Sequence, residues 1–147
     1  MKHILQKLVL SLALATASTL AAAELEITGN DTMRFNVTEL ETTVGEETTV
    51  TFKNVGTLPK AAMGHNFVVL KPGTDLASFG NAAIAAAGND YIPTEETFAQ
   101  QVIAHTKVLG PGESDSVSFT IAEPGEYPFI CSFPGHWAIM KGVLQVK

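Results

Sequence analysis

Cysteine is almost absent from this chain of 147 residues, in which Cys131 is the only one. A single cysteine cannot form a disulfide within the chain. A lone thiol is therefore buried, reactive, paired with another molecule or bound to a metal. A buried and inert thiol is the simplest of these interpretations, and the residues around Cys131 have to decide between them.

Basic residues are also few. Lys and Arg number 9 against 15 Asp and Glu, and the formal net charge is -6. The basic residues do not cluster in the sequence. Because nucleic acids and anionic membranes are recognised by concentrated positive charge, neither is expected as a partner.

A long apolar run occurs only near the N-terminus. Lys2 and Lys7 precede residues 8–20, which carry no charge, and three alanines then provide an Ala-x-Ala cleavage pattern. This arrangement predicts a secretory signal peptide over residues 1–23 and a single exported domain over residues 24–147. The run is too short and wrongly flanked for a membrane anchor, so membrane insertion is not expected.

The residues after position 23 mostly alternate between apolar and polar. Leu25 and Ile27 share one face of a predicted strand, as do Val50 and Phe52, and Gly, Pro and Asn separate the alternating segments. This period of two predicts an all-β fold, either an antiparallel sandwich or a barrel.

One segment departs from the alternating pattern. Residues 74–90 are rich in alanine, Thr74 is a potential N-cap, and Gly88-Asn89 is a stop signal. Gly80 weakens a helix in its middle. The segment is therefore predicted to be one short helix or a broken helical flap between strands.

Cys131 lies in a short segment that contains two further potential ligands. His136 and Met140 follow it in the sequence CSFPGHWAIM, and the segment connects two predicted strands. Its Pro-Gly pair forces a turn. Because paired strands lie ~4.8 Å apart, side chains at the two ends of such a loop converge, and His136 can fold back over the same point.

A fourth potential ligand, His65, begins a predicted strand directly after Gly64. Glycine has no side chain to prevent its carbonyl group from approaching a neighbour closely. If this strand lies beside that of Cys131, one cysteine and two histidines meet at one point.

The donor types favour copper. Thiolate and thioether are soft donors that suit Cu(I), and imidazole also suits Cu(II), whereas structural zinc prefers four strong ligands. Met140 or His65 taken alone is more often an ordinary core or surface residue. Cys131 and His136 could instead form a nucleophile and its base. That interpretation leaves Met140 and the second histidine without a role.

The sequences MGHNF and CSFPGHWAIMKG resemble those of the azurins, small blue copper proteins of the cupredoxin family. The likeness extends to GNDTMRFN, LPKAAMGHN and VIAHTKVLGPGESDSVSF, and so covers nearly the whole chain after the signal peptide. It implies an eight-stranded Greek-key β-sandwich with a short external helical flap. The protein would carry single electrons in the periplasm and would not be an enzyme. One copper ion per chain would be bound by His65, Cys131 and His136, with Met140 as a distant axial ligand and the Gly64 carbonyl as a weak fifth contact.

The same resemblance assigns roles around these ligands. Asn66, which follows His65, would tie the two ligand loops together through hydrogen bonds, and Ser132 lies next to Cys131. Electrons would pass through His136 at an apolar patch, which would contact transient redox partners such as c-type cytochromes, reductases or dehydrogenases. The residues of this patch are Met33, Met63, Phe133, Pro134 and Trp137.

The chain departs from the azurin pattern at several points. Azurins carry a disulfide near the N-terminus, and its loss could cost ~2–5 kcal/mol unless other packing offsets it. Phe67 occupies the place of the family's usual core tryptophan, while Trp137 adjoins His136. Asn54 stands where azurins often have a histidine, so a pH-linked switch of that kind is not expected.

Two other functions stay open from the sequence. One is a copper storage or delivery protein, although the four-ligand set leaves no obvious position for handing the metal over. The other is an enzyme that uses Cys131 and His136.

Overall fold

The computed structural model describes residues 22–147. The predicted signal peptide over residues 1–23 therefore lies almost entirely outside the described residues, and its cleavage site stays a prediction. The described part of the chain forms nine strands, three short α-helices and one 3-10 helix. We find in that part no helix with the length and apolarity needed to cross a membrane.

In chain order the elements are β1 (Ala23–Asn30), β2 (Arg34–Phe35), β3 (Glu39–Thr42), β4 (Glu47–Asn54), α1 (Lys60–Met63), β5 (Val68–Leu70), α2 (Leu76–Ala83), the 3-10 helix (Ile84–Asn89), α3 (Glu96–Ala99), β6 (Val102–His105), β7 (Ser114–Thr120), β8 (Gly125–Ile130) and β9 (Lys141–Val146).

The strands form two sheets. One has the order β2-β1-β4-β7 and the other the order β3-β9-β8-β5-β6. In β4, Val50 and Phe52 are fully buried, whereas the threonines that flank Val50 are partly exposed. In β8 of the other sheet, Tyr127 and Phe129 are buried in the same way. Each sheet therefore has an apolar face, and burying the two faces against each other stabilises a sandwich. The predicted all-β sandwich with a helical segment between strands is confirmed.

Two details differ from the prediction. Nine strands are described instead of eight, and the shortest of them, β2, has two residues. Strands β1 and β4 run parallel, as do β3 and β9, so the predicted antiparallel sandwich also contains two parallel pairs. A period of two reports which face of a strand is buried but not the direction of its neighbour. The direction is decided by the connection, because the chain crosses to the other sheet at β3 before it returns as β4.

Aromatic rings fill the space between the sheets. The ring of Phe35 meets those of Phe52, Phe67 and Phe129 edge-on, with centroids 5.8, 6.2 and 5.4 Å apart. Phe67 is fully buried. Each edge-on pair contributes ~0.5–1.5 kcal/mol beyond burial, so together they are comparable with one disulfide, at ~2–5 kcal/mol.

The helical segment is broken, as predicted: α2 passes directly into the 3-10 helix. The prediction of its N-cap is wrong by one residue. The carboxylate of Asp75 accepts the backbone N–H groups of Ala77 and Ser78, at 3.0 and 3.1 Å. The hydroxyl group of Thr74 instead donates to the Lys71 carbonyl at 2.8 Å. A carboxylate is the better cap here because its charge also interacts favourably with the helix N-terminus.

The register of three strands brings the two ligand segments together. Ile130 at the end of β8 pairs with Lys141 at the start of β9, so residues 131–140 form the loop between them. Val68 at the start of β5 pairs with the same Ile130. The segment before β5 and the loop after β8 therefore lie at the same end of the sandwich, which fulfils the condition under which His65 can join Cys131 and His136.

Candidate metal centre

The loop of residues 131–140 is closed by its own hydrogen bonds. The Cys131 N–H donates to the Met140 carbonyl at 3.0 Å, and the Met140 N–H donates to the His136 carbonyl at 2.8 Å. Gly135 has a φ of 79°, in the left-handed region that favours glycine, so the predicted Pro-Gly turn is formed. These contacts hold Cys131 and His136 in one compact loop, with both side chains buried.

His65 reaches the same end of the sandwich just before β5. His65 and Leu109 exchange both of their backbone hydrogen bonds, at 3.1 and 2.7 Å. The Leu109 carbonyl also accepts the side-chain amide of Asn54 at 3.0 Å. Asn54 is 1% exposed and cannot titrate, so it is a fixed anchor for the backbone of His65.

The three strong donors form a nearly regular triangle. The Nδ1 atoms of His65 and His136 are 3.2 Å apart, and they lie 3.8 and 3.6 Å from Cys131 Sγ. The point equidistant from the three atoms lies about 2 Å from each, close to the bond lengths of metal ions to imidazole and thiolate. All three residues are buried, so the triangle fits a metal ion that is shielded from water.

The carbonyl of Asn30 orients one imidazole. His65 Nε2 lies 3.0 Å from the Asn30 oxygen. The carbonyl can only accept, so Nε2 carries the proton and Nδ1 directs its lone pair at the centre of the triangle. Sequence patterns do not single out Asn30, because it acts through its backbone and any residue type has a carbonyl group.

Burial disfavours charge on all three donors. It raises the pKa of the Cys131 thiol to about 12 and lowers the pKa of His136 to about 4, with a further contribution from neighbouring His65. It also lowers the pKa of His65, against the opposing effects of the Asn30 carbonyl and the Asp31 carboxylate. Without a cation the three groups are neutral near pH 7, so a bound metal ion has to compensate the charge of the thiolate.

Met140 and Gly64, the two predicted weak contacts, are both buried. A β-carbon on Gly29 would overlap the methyl group of Met140, and one on Gly64 would overlap Val108 and the Lys60 carbonyl. Both positions are therefore tightly enclosed, and Gly64 has no room for a side chain. Their roles toward a bound ion stay a prediction.

A buried amide joins the segment before β5 to the loop after β8. The Asn66 amide donates to the Ser132 hydroxyl at 2.8 Å and to the Asp90 carbonyl at 2.9 Å, and its oxygen accepts the Ser132 N–H at 2.8 Å. The backbone N–H groups of Asn66 and Phe133 face the sulfur of Cys131 and favour its thiolate. These bonds hold the two ligand segments at a fixed separation.

The predicted apolar patch has one buried and four half-buried members. The half-buried ones are Met33, Met63, Pro134 and Trp137. Phe133 is 8% exposed, and its ring centroid lies 4.8 Å from that of His136, which is 3% exposed. Ile139 of the same loop is 40% exposed and was not predicted, because an isolated apolar residue in a turn gives no sign of its exposure.

Trp137 is turned toward the helical segment. It packs against a second apolar cluster, which consists of Val68, Leu70, Phe79, Ile92 and Ile130. Its indole ring also lies directly on Gly80 of α2, where a β-carbon would overlap the ring. This contact is a further feature that sequence patterns do not disclose, because the helical pattern marks Gly80 only as a weak point.

The two-sheet sandwich and the His-Cys-His triangle at one end define a copper protein of the cupredoxin class. The model of the family "copper binding proteins, plastocyanin/azurin family" matches residues 21–147. The chain belongs to this family. The prediction of a copper cofactor is thereby confirmed, with His65, Cys131 and His136 as a possible metal site.

Individual relatives agree with this assignment. Azurin of Alcaligenes faecalis is 43% identical over 129 residues, which are 85% of this chain and 98% of that protein. Azurin of Bordetella pertussis is 38% identical over 149 residues, with 99% and 97% of the two chains covered. Among solved structures, an azurin from Methylomonas sp. strain J has a TM-score of 0.75 at 32% identity, with 86% of this chain and 99% of that chain covered. A reduced auracyanin from Roseiflexus castenholzii has the same TM-score at 38% identity, with 86% and 98% covered.

Proposed function

We propose that this protein is a periplasmic carrier of single electrons that uses one copper ion cycling between Cu(I) and Cu(II). The proposed ligands are His65, Cys131 and His136, with Met140 as axial ligand and the Gly64 carbonyl as a weak fifth contact. The observation that carries the proposal is the buried triangle of two Nδ1 atoms and one Sγ atom, whose centre fits a metal ion. Copper supplies the one-electron couple when it is bound.

The protein fixes the positions of these donor atoms and excludes water from them. The Asn30 carbonyl orients His65, and the amide of Asn66 ties the two ligand segments together. A set that mixes thiolate, thioether and imidazole is acceptable to either valence of copper. Because the donors are packed in place, little of the structure has to rearrange when the charge changes.

Export to the periplasm belongs to the same proposal. Its support is the predicted signal peptide over residues 1–23, with the cut after Ala23. Residues 24–147 would then form the mature copper-binding domain.

Contact with redox partners is proposed at the end of the sandwich that holds the loop of residues 131–140. His136 and Phe133 are nearly covered there, while Ile139, Met33 and Pro134 are partly exposed. A small contact of this chemistry is weak enough for rapid release. Its partners would be other redox proteins, such as c-type cytochromes, reductases or dehydrogenases.

The alternatives have less support. A thiol whose pKa burial raises to about 12 is a poor nucleophile, which disfavours an enzyme based on Cys131. A storage or delivery protein needs an accessible position for exchange of the metal. Here His65 and Cys131 are fully buried and His136 is 3% exposed, so exchange would require the loop to open.

Copper loading of the purified protein tests the proposal. The oxidised protein should show an intense red-region absorption band from thiolate-to-copper charge transfer, and one electron equivalent per chain should bleach it. Cys131→Ser, the matched control, should bind copper without this band because it lacks the thiolate. A colourless oxidised wild-type protein, or the same band in the control, would contradict the proposal.

A further inference from the structure

The helical segment between β5 and β6 makes contact with both ligand segments. We define the flap as residues 75–91, which comprise the cap Asp75, α2, the 3-10 helix, Asp90 and Tyr91. Most of its outer surface is exposed, but Phe79, Gly80 and Ala83 are buried. Three separate contacts join it to the metal centre.

The first contact is that of Gly80 with Trp137. The indole ring occupies the space that a side chain on α2 would fill, so only glycine permits this approach. Trp137 directly follows the ligand His136 in the chain. A displacement of the indole ring would therefore pull on the backbone of a ligand.

The second contact is that of Asp90 with Asn66. The backbone of Asp90 is left-handed, with a φ of 51°, and its carboxylate accepts the Val108 N–H at 2.8 Å. Its carbonyl accepts the same Asn66 amide that donates to Ser132. Left-handed backbone costs free energy in a residue other than glycine, and such strain persists only where the surroundings enforce it.

The third contact passes through aromatic rings. Tyr91, also left-handed with a φ of 56°, meets the ring of Phe133 edge-on at 5.1 Å. The Phe133 ring lies 4.8 Å from that of His136. The end of the flap thus packs on one ligand segment through Asp90 and on the other through Tyr91.

We infer that the flap positions the metal ligands, with Gly80 and Asp90 as positioning residues that act through Trp137 and Asn66. This inference rests on the proposed function, since it concerns the ligands of that site. The flap restrains the segments that carry His65 and His136 at points that lie beside the ligands in the chain. Loss of either restraint lets the donors relax and changes the spectrum and potential of bound copper.

Gly80→Ala tests the first restraint, with Gly88→Ala as its matched control. Both variants add one methyl group to the flap, but the added carbon at Gly88 has no atom within 4 Å. Trp137 is the only tryptophan of the chain, so its emission reports on the contact directly. In copper-free protein, Gly80→Ala should shift this emission to longer wavelength, whereas Gly88→Ala should leave it unchanged.

Copper-loaded samples then decide whether the contact positions the ligands. Gly80→Ala should shift the reduction potential and the Cu(II) electron paramagnetic resonance parameters away from those of wild type, and Gly88→Ala should not. An altered tryptophan emission with an unchanged potential and resonance spectrum would show that the contact is merely structural. Unchanged emission would show that the contact is absent. Either outcome would overturn the inference.

Asp90→Ala and Asp90→Asn test the second restraint. Asparagine tolerates left-handed backbone and keeps an oxygen that accepts the Val108 N–H, whereas alanine does neither. Asp90→Ala should therefore shift the potential, and Asp90→Asn should restore the wild-type value. Equal potentials in both variants and wild type would remove Asp90 from the inference.

Copper-free protein separates this inference from the proposed function. Nuclear magnetic resonance of the His65 and His136 rings should show altered shifts in Gly80→Ala and Asp90→Ala but not in the two controls. If wild type fails to give the charge-transfer band, the function is wrong, while these shifts still show whether the flap positions the rings. If wild type gives the band and the shifts are unaltered, only the inference fails.

Discussion

Cys131, His65 and His136 lose nearly all contact with water when the chain folds. Each of them is ordinarily able to change its charge in water, and burial holds each of them in the neutral form. Two neutral imidazoles already present lone pairs to a metal ion, and the thiol has to give up one proton to it. At the scale of single residues, the burial of these three groups therefore favours binding of a cation. In copper-free protein the same burial lowers the free energy of unfolding at any pH where the groups would be charged in the unfolded chain.

The difference in pKa between the folded and the unfolded state predicts how the stability of copper-free protein depends on pH. The unfolded His136 takes up a proton near pH 6.5 but the folded one only near pH 4, so its contribution is fully present above pH 6.5 and is lost as the pH falls toward 4. The unfolded Cys131 ionises near pH 9.0 but the folded one near pH 12, so its contribution is fully present below pH 9.0 and is lost as the pH rises toward 12. We expect the midpoint of urea unfolding to fall on both sides of the interval between these values.

Two variants show which residue causes the acid decline and which causes the alkaline decline of the unfolding midpoint. Cys131→Ala should remove the part of the alkaline decline that comes from the thiol, and His136→Gln should reduce the acid decline, which His65 would partly retain. The measurement is the difference in unfolding midpoint between wild type and each variant across the pH range. Differences that do not depend on pH would contradict the expected titrations.

At the scale of elements, the hairpin of β8 and β9 and the neighbouring β5 set the geometry of the site. The pairing of Ile130 with both Lys141 and Val68 places the ligand segments side by side. The flap then covers this end from outside, and its first turn depends on one side chain. Asp75, rather than Thr74, accepts the free N–H groups of α2.

The two candidate caps of α2 are separable by substitution. Asp75→Ala should lower the unfolding midpoint and speed amide exchange at Ala77 and Ser78, because their N–H groups lose an acceptor. Thr74→Ala, the control, should have a much smaller effect, since its hydroxyl bonds only the exposed Lys71 carbonyl. Equal effects of the two substitutions would refute Asp75 as the cap.

At the scale of the whole molecule, an aromatic core stabilises a sandwich whose one cysteine is free. Phe67 is fully buried between Phe35 and Phe129, with ring centroids 6.2 and 5.2 Å away. Phe67 directly follows Asn66 in the sequence. One residue of this short stretch therefore packs in the core, and its neighbour makes hydrogen bonds at the metal centre. The packing of Phe67 thus contributes to the stability of the whole sandwich and also fixes the backbone beside Asn66.

Substitutions of Phe67 test how closely this core is filled. Phe67→Ala should lower the free energy of unfolding by about 3–5 kcal/mol, because it removes a buried ring and leaves a cavity. Phe67→Trp, which introduces the residue usual in azurins, should cost about 1–3 kcal/mol, because the larger ring has to displace its neighbours. Chemical unfolding of copper-free protein measures both. A tryptophan variant as stable as wild type would show that the core has unfilled space.

Much of the fold follows from local patterns in the sequence. Alternation marks the buried faces of the longer strands, alanine marks the flap, and the Pro-Gly pair marks the turn of the ligand loop. Strands β3 and β6 escape prediction because β3 holds one apolar residue, Leu40, and the apolar residues of β6 are consecutive, so neither shows a clear alternation. The parallel pairs escape it as well, because the direction of a neighbouring strand is a property of the connection between strands.

The sequence alone determined the kinds of donor atoms and the loop that carries three of them, since a thiol, an imidazole and a thioether lie within ten residues. Only the tertiary structure decided that His65 joins them, because that depends on which strand lies beside β8. It also decided the roles of Asn30, Gly80 and Asp90. These residues act through a carbonyl group, through the absence of a side chain and through backbone conformation, which become effective only once distant segments are in contact.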